Sequence, residues 1–316
     1  LRNASSSFSK GTTETYDGFH VSHYELVSDE GLQCVCDLLE VCECLGCMPS
    51  DIQQVEVAMI PKPKGGCRPI GIYPSLDRLH GKARQDVVTE WMECNARDYF
   101  ASAKGTGALD VVWAQSVVAE AAQSGGLYSA STLWDLKSFF DMIDHDLLIQ
   151  RAVEYGFPAP LIRLAINAFK APRIIGSKKR YASPVNATRG VLAGYSFAMA
   201  MVHLYYLHDM DAFVKRHPNA RLDIYVDDIT LSVTGHSEAE VEEALRAAAE
   251  DLHDVITNGL RCEISWGKAA VVASTNSLVA SLRKTLGKWA GPEMSGTVLN
   301  LGVDFRSGKT KGRRSK

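Results

Sequence analysis

The most constraining stretch of this sequence is Arg221-Leu222-Asp223-Ile224-Tyr225-Val226-Asp227-Asp228-Ile229. Leu222, Ile224 and Val226 alternate with polar neighbours, the period-two pattern of a half-buried strand. Beyond the two aspartates the alternation resumes at Ile229, Leu231 and Val233. The pattern predicts a tight hairpin with a carboxylate pair at its tip, where aspartate tolerates turn geometry. Adjacent carboxylates repel one another, and a cation held between them and a substrate removes that cost. Mg²⁺ suits such a place, because it takes a few carboxylates together with phosphate oxygens. A solvated surface turn is the other reading of Asp-Asp.

A second carboxylate lies upstream, in Ser131-Thr132-Leu133-Trp134-Asp135-Leu136-Lys137-Ser138-Phe139-Phe140-Asp141. The apolar run stops at Asp135, and a helix is expected from about 145 to 155 with Asp144 as its N-cap. An aspartate at the end of one strand and an aspartate pair on a hairpin can converge on two metal ions about 4 Å apart.

Tyr225-Val226-Asp227-Asp228 between apolar strands resembles the catalytic hairpin of reverse transcriptases, Tyr-x-Asp-Asp. Asp135 with Phe140 five positions later resembles the family's metal-binding aspartate and its following aromatic residue. RNA-directed RNA polymerases usually carry Asp at the Phe140 position and Gly-Asp-Asp in the hairpin, so both motifs favour deoxynucleotides. The resemblance implies two Mg²⁺ ions, with Mn²⁺ as a substitute, held by Asp135 and Asp227. It further implies the Leu136 carbonyl as a ligand, Asp228 in support, and the Phe140 ring beneath the sugar of the incoming dNTP.

The likeness continues along the chain. Ile60-Pro61-Lys62-Pro63-Lys64, a glycine turn and Arg68-Pro69-Ile70 resemble the family's fingertip hairpin. By that resemblance Arg68, helped by Lys62 or Lys64, grips the triphosphate: guanidinium as a bidentate fork, ammonium as a point charge. Arg189-Gly190-Val191-Leu192-Ala193-Gly194 resembles Arg-Gly-x-Pro-Gln-Gly. Here Ala193 replaces the glutamine set beside template and nucleotide, and Ala198-Met199 replaces Ser-Pro, while Gly194 still allows close backbone approach. Lys268 falls where the family has a lysine that protonates pyrophosphate, and Val298–Val303, with Leu301-Gly302, resembles the primer-grip strand. The Asp-Leu-Lys-Ser-Phe-Phe-Asp and Asp-His-Asp-Leu-Leu cast is nearest to non-LTR retrotransposon and group II intron enzymes.

Composition sets the remaining bounds. The chain is 316 residues with 46% hydrophobic content, enough for one large core or two modest ones. Its 34 basic and 37 acidic residues give −3, so nucleic acid must be met through local basic clusters. Lys178-Lys179-Arg180, a predicted hairpin tip, and the basic run from 306 to 316 are such clusters. Eight scattered cysteines without a signal peptide suggest a reducing intracellular setting, nuclear or wherever such an element replicates. Five of them, Cys34 to Cys47, sit on a predicted helix with apolar stripe Leu32, Val35, Cys36, Leu39 and Cys42; their spacing is not that of a zinc knuckle. No apolar run reaches the roughly 18 residues of a membrane span.

The expected architecture is α+β, a right-hand polymerase fold of fingers and palm, with an antiparallel palm sheet, helices on one face, and the thumb absent or truncated. Its divisions are an N-terminal extension and helix over 1–54, fingers over 55–126, palm with inserted finger elements over 127–305, and a basic tail over 306–316 leading to the missing thumb. Residues 1–19 read as irregular; Asp17-Gly18 either resembles the Asp-Gly that many retroelement reverse transcriptases carry before the fingers or is an ordinary turn. Helices are expected over 75–98, 108–122, 158–170, up to about 213, and 238–258. The implied activity is DNA synthesis on an RNA template from a DNA or RNA primer, within a longer polyprotein. Two other readings stay open: a decayed domain that only binds nucleic acid, and a nucleotide cyclase with a similar sheet.

Overall fold

A computed structural model describes residues 1–62, 65–102, 105–177, 180–292 and 298–305. Among these, the elements run α1 (Arg2–Ser6), α2 (Asp29–Leu45), β1 (Val55–Pro61), β2 (Cys67–Ile72), α3 (Ser75–Ala83), α4 (Gln85–Cys94), α5 (Ala108–Ser124) and β3 (Tyr128–Asp135). They continue with α6 (Phe139–Met142), α7 (His145–Glu154), α8 (Ala159–Lys170), β4 (Arg173–Ser177), β5 (Arg180–Tyr181), α9 (Ala198–Arg216), β6 (Ala220–Tyr225) and β7 (Asp228–Gly235). The last are α10 (Glu238–Asp254), β8 (Ala270–Ala273), α11 (Asn276–Leu286), β9 (Val298–Asn300) and β10 (Val303–Phe305). None of the described helices is long and apolar enough to cross a membrane.

Backbone contacts divide the chain into two compact units, Leu1–Asn95 with Phe140–Tyr205, and Ala96–Phe139 with Tyr206–Lys316. The second is built on an antiparallel sheet in the order β6-β7-β3-β8. Strand β3 is buried at every residue from Ser129 to Trp134, as a central strand covered on both faces must be. On its Leu133 side lie Val112 of α5, Ala270 and Val272 of β8, Val298 and Phe305. Helix α10 packs against β3 and β7. The outer edge of β6 is covered: Ile224 exchanges backbone hydrogen bonds with Tyr99 and Ala101 (2.7 and 2.9 Å). Unpaired strand edges invite other chains, and this one is closed at Ile224, next to the hairpin turn.

The first unit carries a mixed sheet, β2-β1-β4-β5, with β1 antiparallel to β2 and parallel to β4. Helix α2 begins where Ser28 accepts a hydrogen bond from the Gly31 N–H (3.1 Å), followed by Asp29 and Glu30 in the first turn. Its Leu32, Leu39 and Cys42 are buried, with Leu39 and Cys42 packed against Leu76 and Leu164. Asp144 caps α7 as its sequence predicts, accepting from Asp146 and Leu147 (2.9 and 3.1 Å).

Three segments differ from expectation. The single helix expected over 75–98 is two, α3 and α4, divided at Arg84. The Arg84 guanidinium is clamped on both oxygens of Glu43 (2.6 and 2.8 Å), and His80 Nε2 lies 2.7 Å from the same carboxylate. Residues 2–6, expected to be irregular, form the short helix α1, whose Ser5 hydroxyl donates to the Val21 carbonyl (2.7 Å). The strand expected over 298–303 is a hairpin, because Leu301 (φ 50°) and Gly302 (φ 80°) both take left-handed backbone and turn β9 into β10. Asp17, placed in a turn as read, also reaches across sequence: its carboxylate accepts from the Ser75 N–H at the start of α3 (2.6 Å).

Asp77 sits in that first turn of α3, largely enclosed, with its carboxyl pushed up to about 7 by burial and by the negative charge of Asp17. An unfolded aspartate titrates near 4. Between those values the folded chain holds the extra proton, so Asp77 lowers stability progressively as pH rises from about 4 to about 7. Asp77→Asn removes this liability. Allowing for residual solvent contact, it should raise stability by about 1–2 kcal/mol at pH 8 and by little at pH 4.5. Melting curves at the two pH values check it, and an equal effect at both contradicts it.

Candidate functional site

The β6–β7 hairpin closes in two residues, with Tyr225 paired to Asp228 and Val226-Asp227 forming the turn. Val226 has φ 61°, the left-handed backbone a two-residue hairpin needs and a β-branched residue resists. Strain of this kind persists only where surroundings fix it. Here the Tyr206 hydroxyl donates to the Val226 carbonyl (3.1 Å), and the Leu136 N–H donates to the Asp227 carbonyl (3.1 Å). Tyr206 itself is stacked on Phe139 with ring centroids 5.0 Å apart.

Register carries the next aspartate to the same place. Asp135, the last residue of β3, pairs directly with Asp228, the first of β7. Like charges facing across strands are destabilising. Burial, then the charges of Asp227 and Asp135, push the Asp228 carboxyl up to about 7, partly offset by Lys268. Asp135 is held from behind: its carbonyl accepts from the Ser265 N–H (2.8 Å), and Lys268 Nζ donates to both its carboxylate oxygens (2.8 and 2.9 Å). The bond to Asp135, helped by all three negative charges, raises the Lys268 pKa above that of a free lysine. The four residues expected at the catalytic centre, Asp135, Asp227, Asp228 and Lys268, thus stand together in one unit.

Among the described residues, no three His, Cys, Asp or Glu side chains form a ready metal-binding group. The donor chemistry nevertheless fits a hard divalent cation: carboxylate oxygens only, one of them pushed toward its neutral form by burial and then by its charged neighbours. What occupies Asp135 in this structure is the Lys268 ammonium. Leu136, whose carbonyl was expected to join the ligands, is buried and follows Asp135 directly. Sequence reading placed Lys268 but missed its bond to Asp135, and it missed Tyr206, whose role no motif announces.

The first unit holds the remaining predicted residues other than Leu301 and Gly302. Strands β1 and β2 pair from Glu56–Ile72 up to Pro61–Cys67, so the fingertip hairpin has the expected form. Lys62 and Arg68 are exposed near its tip, while Lys64 lies outside the described residues, as do Lys178, Lys179 and the basic run 306–316. The two phenylalanines part company: Phe139 is buried at 1% exposure, and Phe140 is half-buried with its carbonyl accepting from Val191 (2.7 Å). Gly190, at φ 96°, lies against Asp141 and Phe140, where a Cβ would come within 3.0 Å of backbone. The Ala193 carbonyl accepts from the Gly71 N–H (2.7 Å), so this motif lies along β2. Leu301 and Gly302 form the β9–β10 turn in the second unit.

A family model described as reverse transcriptase (RNA-dependent DNA polymerase) matches residues 60–303. No curated protein matches the chain. Among solved structures, apo telomerase from Candida tropicalis truncated from its C-terminal domain superposes with a TM-score of 0.56 at 11% identity, over 82% of this chain and 54% of that one. Telomerases bound to a TWJ fragment of telomeric RNA also superpose. The Candida tropicalis structure gives 0.54 at 11% identity, over 79% of this chain and 44% of that one. The Candida albicans structure gives 0.53 at 13% identity, over 81% and 45%. At such identities the likeness is one of fold, an α+β palm-and-fingers architecture, and the chain spans about half the length of these structures.

Gly194 has the most exacting backbone of the predicted residues. At φ 106°, a Cβ there would lie 2.1 Å from the Gly71 carbonyl oxygen. Gly194→Ala therefore combines left-handed strain with a backbone clash, and should cost about 3 kcal/mol or more. Urea unfolding measures this, and a loss below about 1 kcal/mol would contradict the close approach.

Proposed function

Because this chain belongs to the reverse transcriptase family, we propose that it extends a primer with deoxynucleotides on an RNA template, as the polymerase domain of a retroelement. The observation that carries this reading is the facing pair Asp135–Asp228, with Asp227 in the adjoining turn. Under the proposal 55–126 serve as fingers and 127–305 as palm. The motif cast favours the non-LTR retrotransposon or group II intron type.

Asp135 and Asp227 would hold two Mg²⁺ ions, with the Leu136 carbonyl and Asp228 in support. When bound, these ions acidify the primer 3′-hydroxyl and neutralise the triphosphate and departing pyrophosphate. The chain's own residues do the rest. Asp228, titrating near neutrality, can shed its proton as positive charge arrives. Lys268 keeps its proton while bonded to Asp135, so it must leave Asp135 before it can serve as a proton donor. Arg68, Lys62 and Lys64 are assigned to the triphosphate, Ala193 and Gly194 to template and nucleotide, and Leu301-Gly302 to the primer. The half-buried Phe140 is assigned to the sugar, where a ring leaves no room for a 2′-hydroxyl and offers it no hydrogen-bond partner.

A second reading has support from one contact. Lys268 occupies both oxygens of Asp135, as it would in a domain that binds nucleic acid without catalysis. Primer extension on an RNA template with Mg²⁺ separates the two. Wild type should extend with dNTPs. Asp227→Asn should abolish extension at unchanged or slightly higher melting temperature, since one repelling charge is gone. Phe140→Val should keep much of the dNTP activity and gain ribonucleotide incorporation by roughly a hundredfold. A wild type that binds template but never extends, or full extension by a folded Asp227→Asn, would overturn the proposal.

A further inference from the structure

Helix α2 carries a second apolar stripe besides the one it buries. Cys34, Leu38, Val41 and Leu45 follow one another at spacings of four, three and four, the a/d repeat of a helix that packs along another helix. All four are exposed: Leu38 at 41%, Val41 at 52% and Leu45 at 69%, with Cys34 alongside. Isolated apolar residues on a surface need no explanation, but four on a continuous seam do.

The flanks say what kind of helix fits. In this register Val35 and Cys42 turn toward the body of the unit on one side, where Cys42 is buried. On the other side stand Glu30 and Asp37, with Glu40 beyond them, all exposed. Helix α2 contains five acidic residues and no basic one. Two are ion-paired, Asp29 with Arg2 and Glu43 with Arg84 and His80, while Asp37 accepts from the neutral Gln33 amide (2.7 Å) and Glu30 is hydrogen-bonded to Ser28. Among the described residues, Glu30, Asp37 and Glu40 have no lysine or arginine bonded to them.

We propose that this seam docks a basic amphipathic helix of a different polypeptide, whose apolar a/d residues lie on Leu38, Val41 and Leu45 and whose lysines or arginines meet Glu30 and Asp37. The charge pattern selects against the other occupants. A second copy laid antiparallel would bring Glu30 and Asp37 against their own equivalents, and laid parallel would run into the side packed on Leu76 and Leu164. Nucleic acid and anionic membrane are repelled by the same carboxylates.

The test uses a synthetic peptide of about four heptads with leucine at a and d and lysine at e and g, beside a twin with glutamate at e and g. Like charges on each peptide discourage self-pairing. Fluorescence anisotropy against the 316-residue chain should show the lysine peptide binding at least about tenfold more tightly, loosening as salt is added. The acidic chain could attract a basic peptide anywhere, so the seam is tested directly. Leu38→Gln with Val41→Gln should weaken lysine-peptide binding about tenfold at an unchanged melting temperature, because both side chains are exposed. Asp37→Lys should narrow the difference between the peptides. Equal binding of both peptides, binding indifferent to the Leu38→Gln/Val41→Gln change, or a dimer of the chain that this change dissolves would each overturn the proposal.

Discussion

Three carboxylates brought to the joined ends of paired strands oppose the fold that gathers them. Two unit charges about 4 Å apart repel by about 4 kcal/mol at an effective permittivity of about 20. Against a total stability of roughly 5–15 kcal/mol, that is a cost few folds carry without a use. Here it is met in two ways. Asp228 gives up charge, its carboxyl pushed up to about 7, and Asp135 takes the Lys268 ammonium on both oxygens. The strained left-handed Val226, held by the Tyr206 hydroxyl, belongs to the same arrangement, since the turn must close in two residues for Asp227 to stand beside Asp228.

Backbone closeness does for the first unit what charge does for the second. Gly194 lies on the Gly71 carbonyl and Gly190 on Asp141, so the 189–194 segment is fixed by close main-chain approach as well as by the buried Val191 and Leu192 side chains. That explains why Ala193 is tolerated structurally where the family has glutamine: its carbonyl, not its side chain, accepts from the Gly71 N–H. Under the proposed function, the loss at Ala193 would therefore bear on template contact and not on the fold.

The legible parts of this sequence were those written in local patterns. Alternation gave β6 and β7, the Ser28 and Asp144 caps gave α2 and α7, and the Pro/Gly-rich hairpin gave β1 and β2. The convergence that the motifs allow is, in register, a direct Asp135–Asp228 pair. What stayed hidden depends on partners far along the chain. The break at Arg84 comes with a carboxylate 41 residues away, and Asp17 reaches Ser75 across 58. The β9–β10 turn hinges on Leu301 adopting φ 50°, which an isolated leucine disfavours. The outer stripe of α2 is hidden in the sequence by the inner one, which alone suffices for an amphipathic helix.

The proposed activity requires Asp135, Asp227 and Asp228 to form a hard-cation site for which Lys268 competes. Thermal unfolding against Mg²⁺ or Mn²⁺ concentration, at fixed ionic strength, tests this without requiring activity. A ligand that binds only the folded chain raises its melting temperature by mass action. Wild type should rise with metal, Asp227→Asn should not, and Lys268→Met should rise at lower metal concentration because the competing ammonium is gone. A melting temperature indifferent to metal in wild type, or the same rise in Asp227→Asn, would contradict the account.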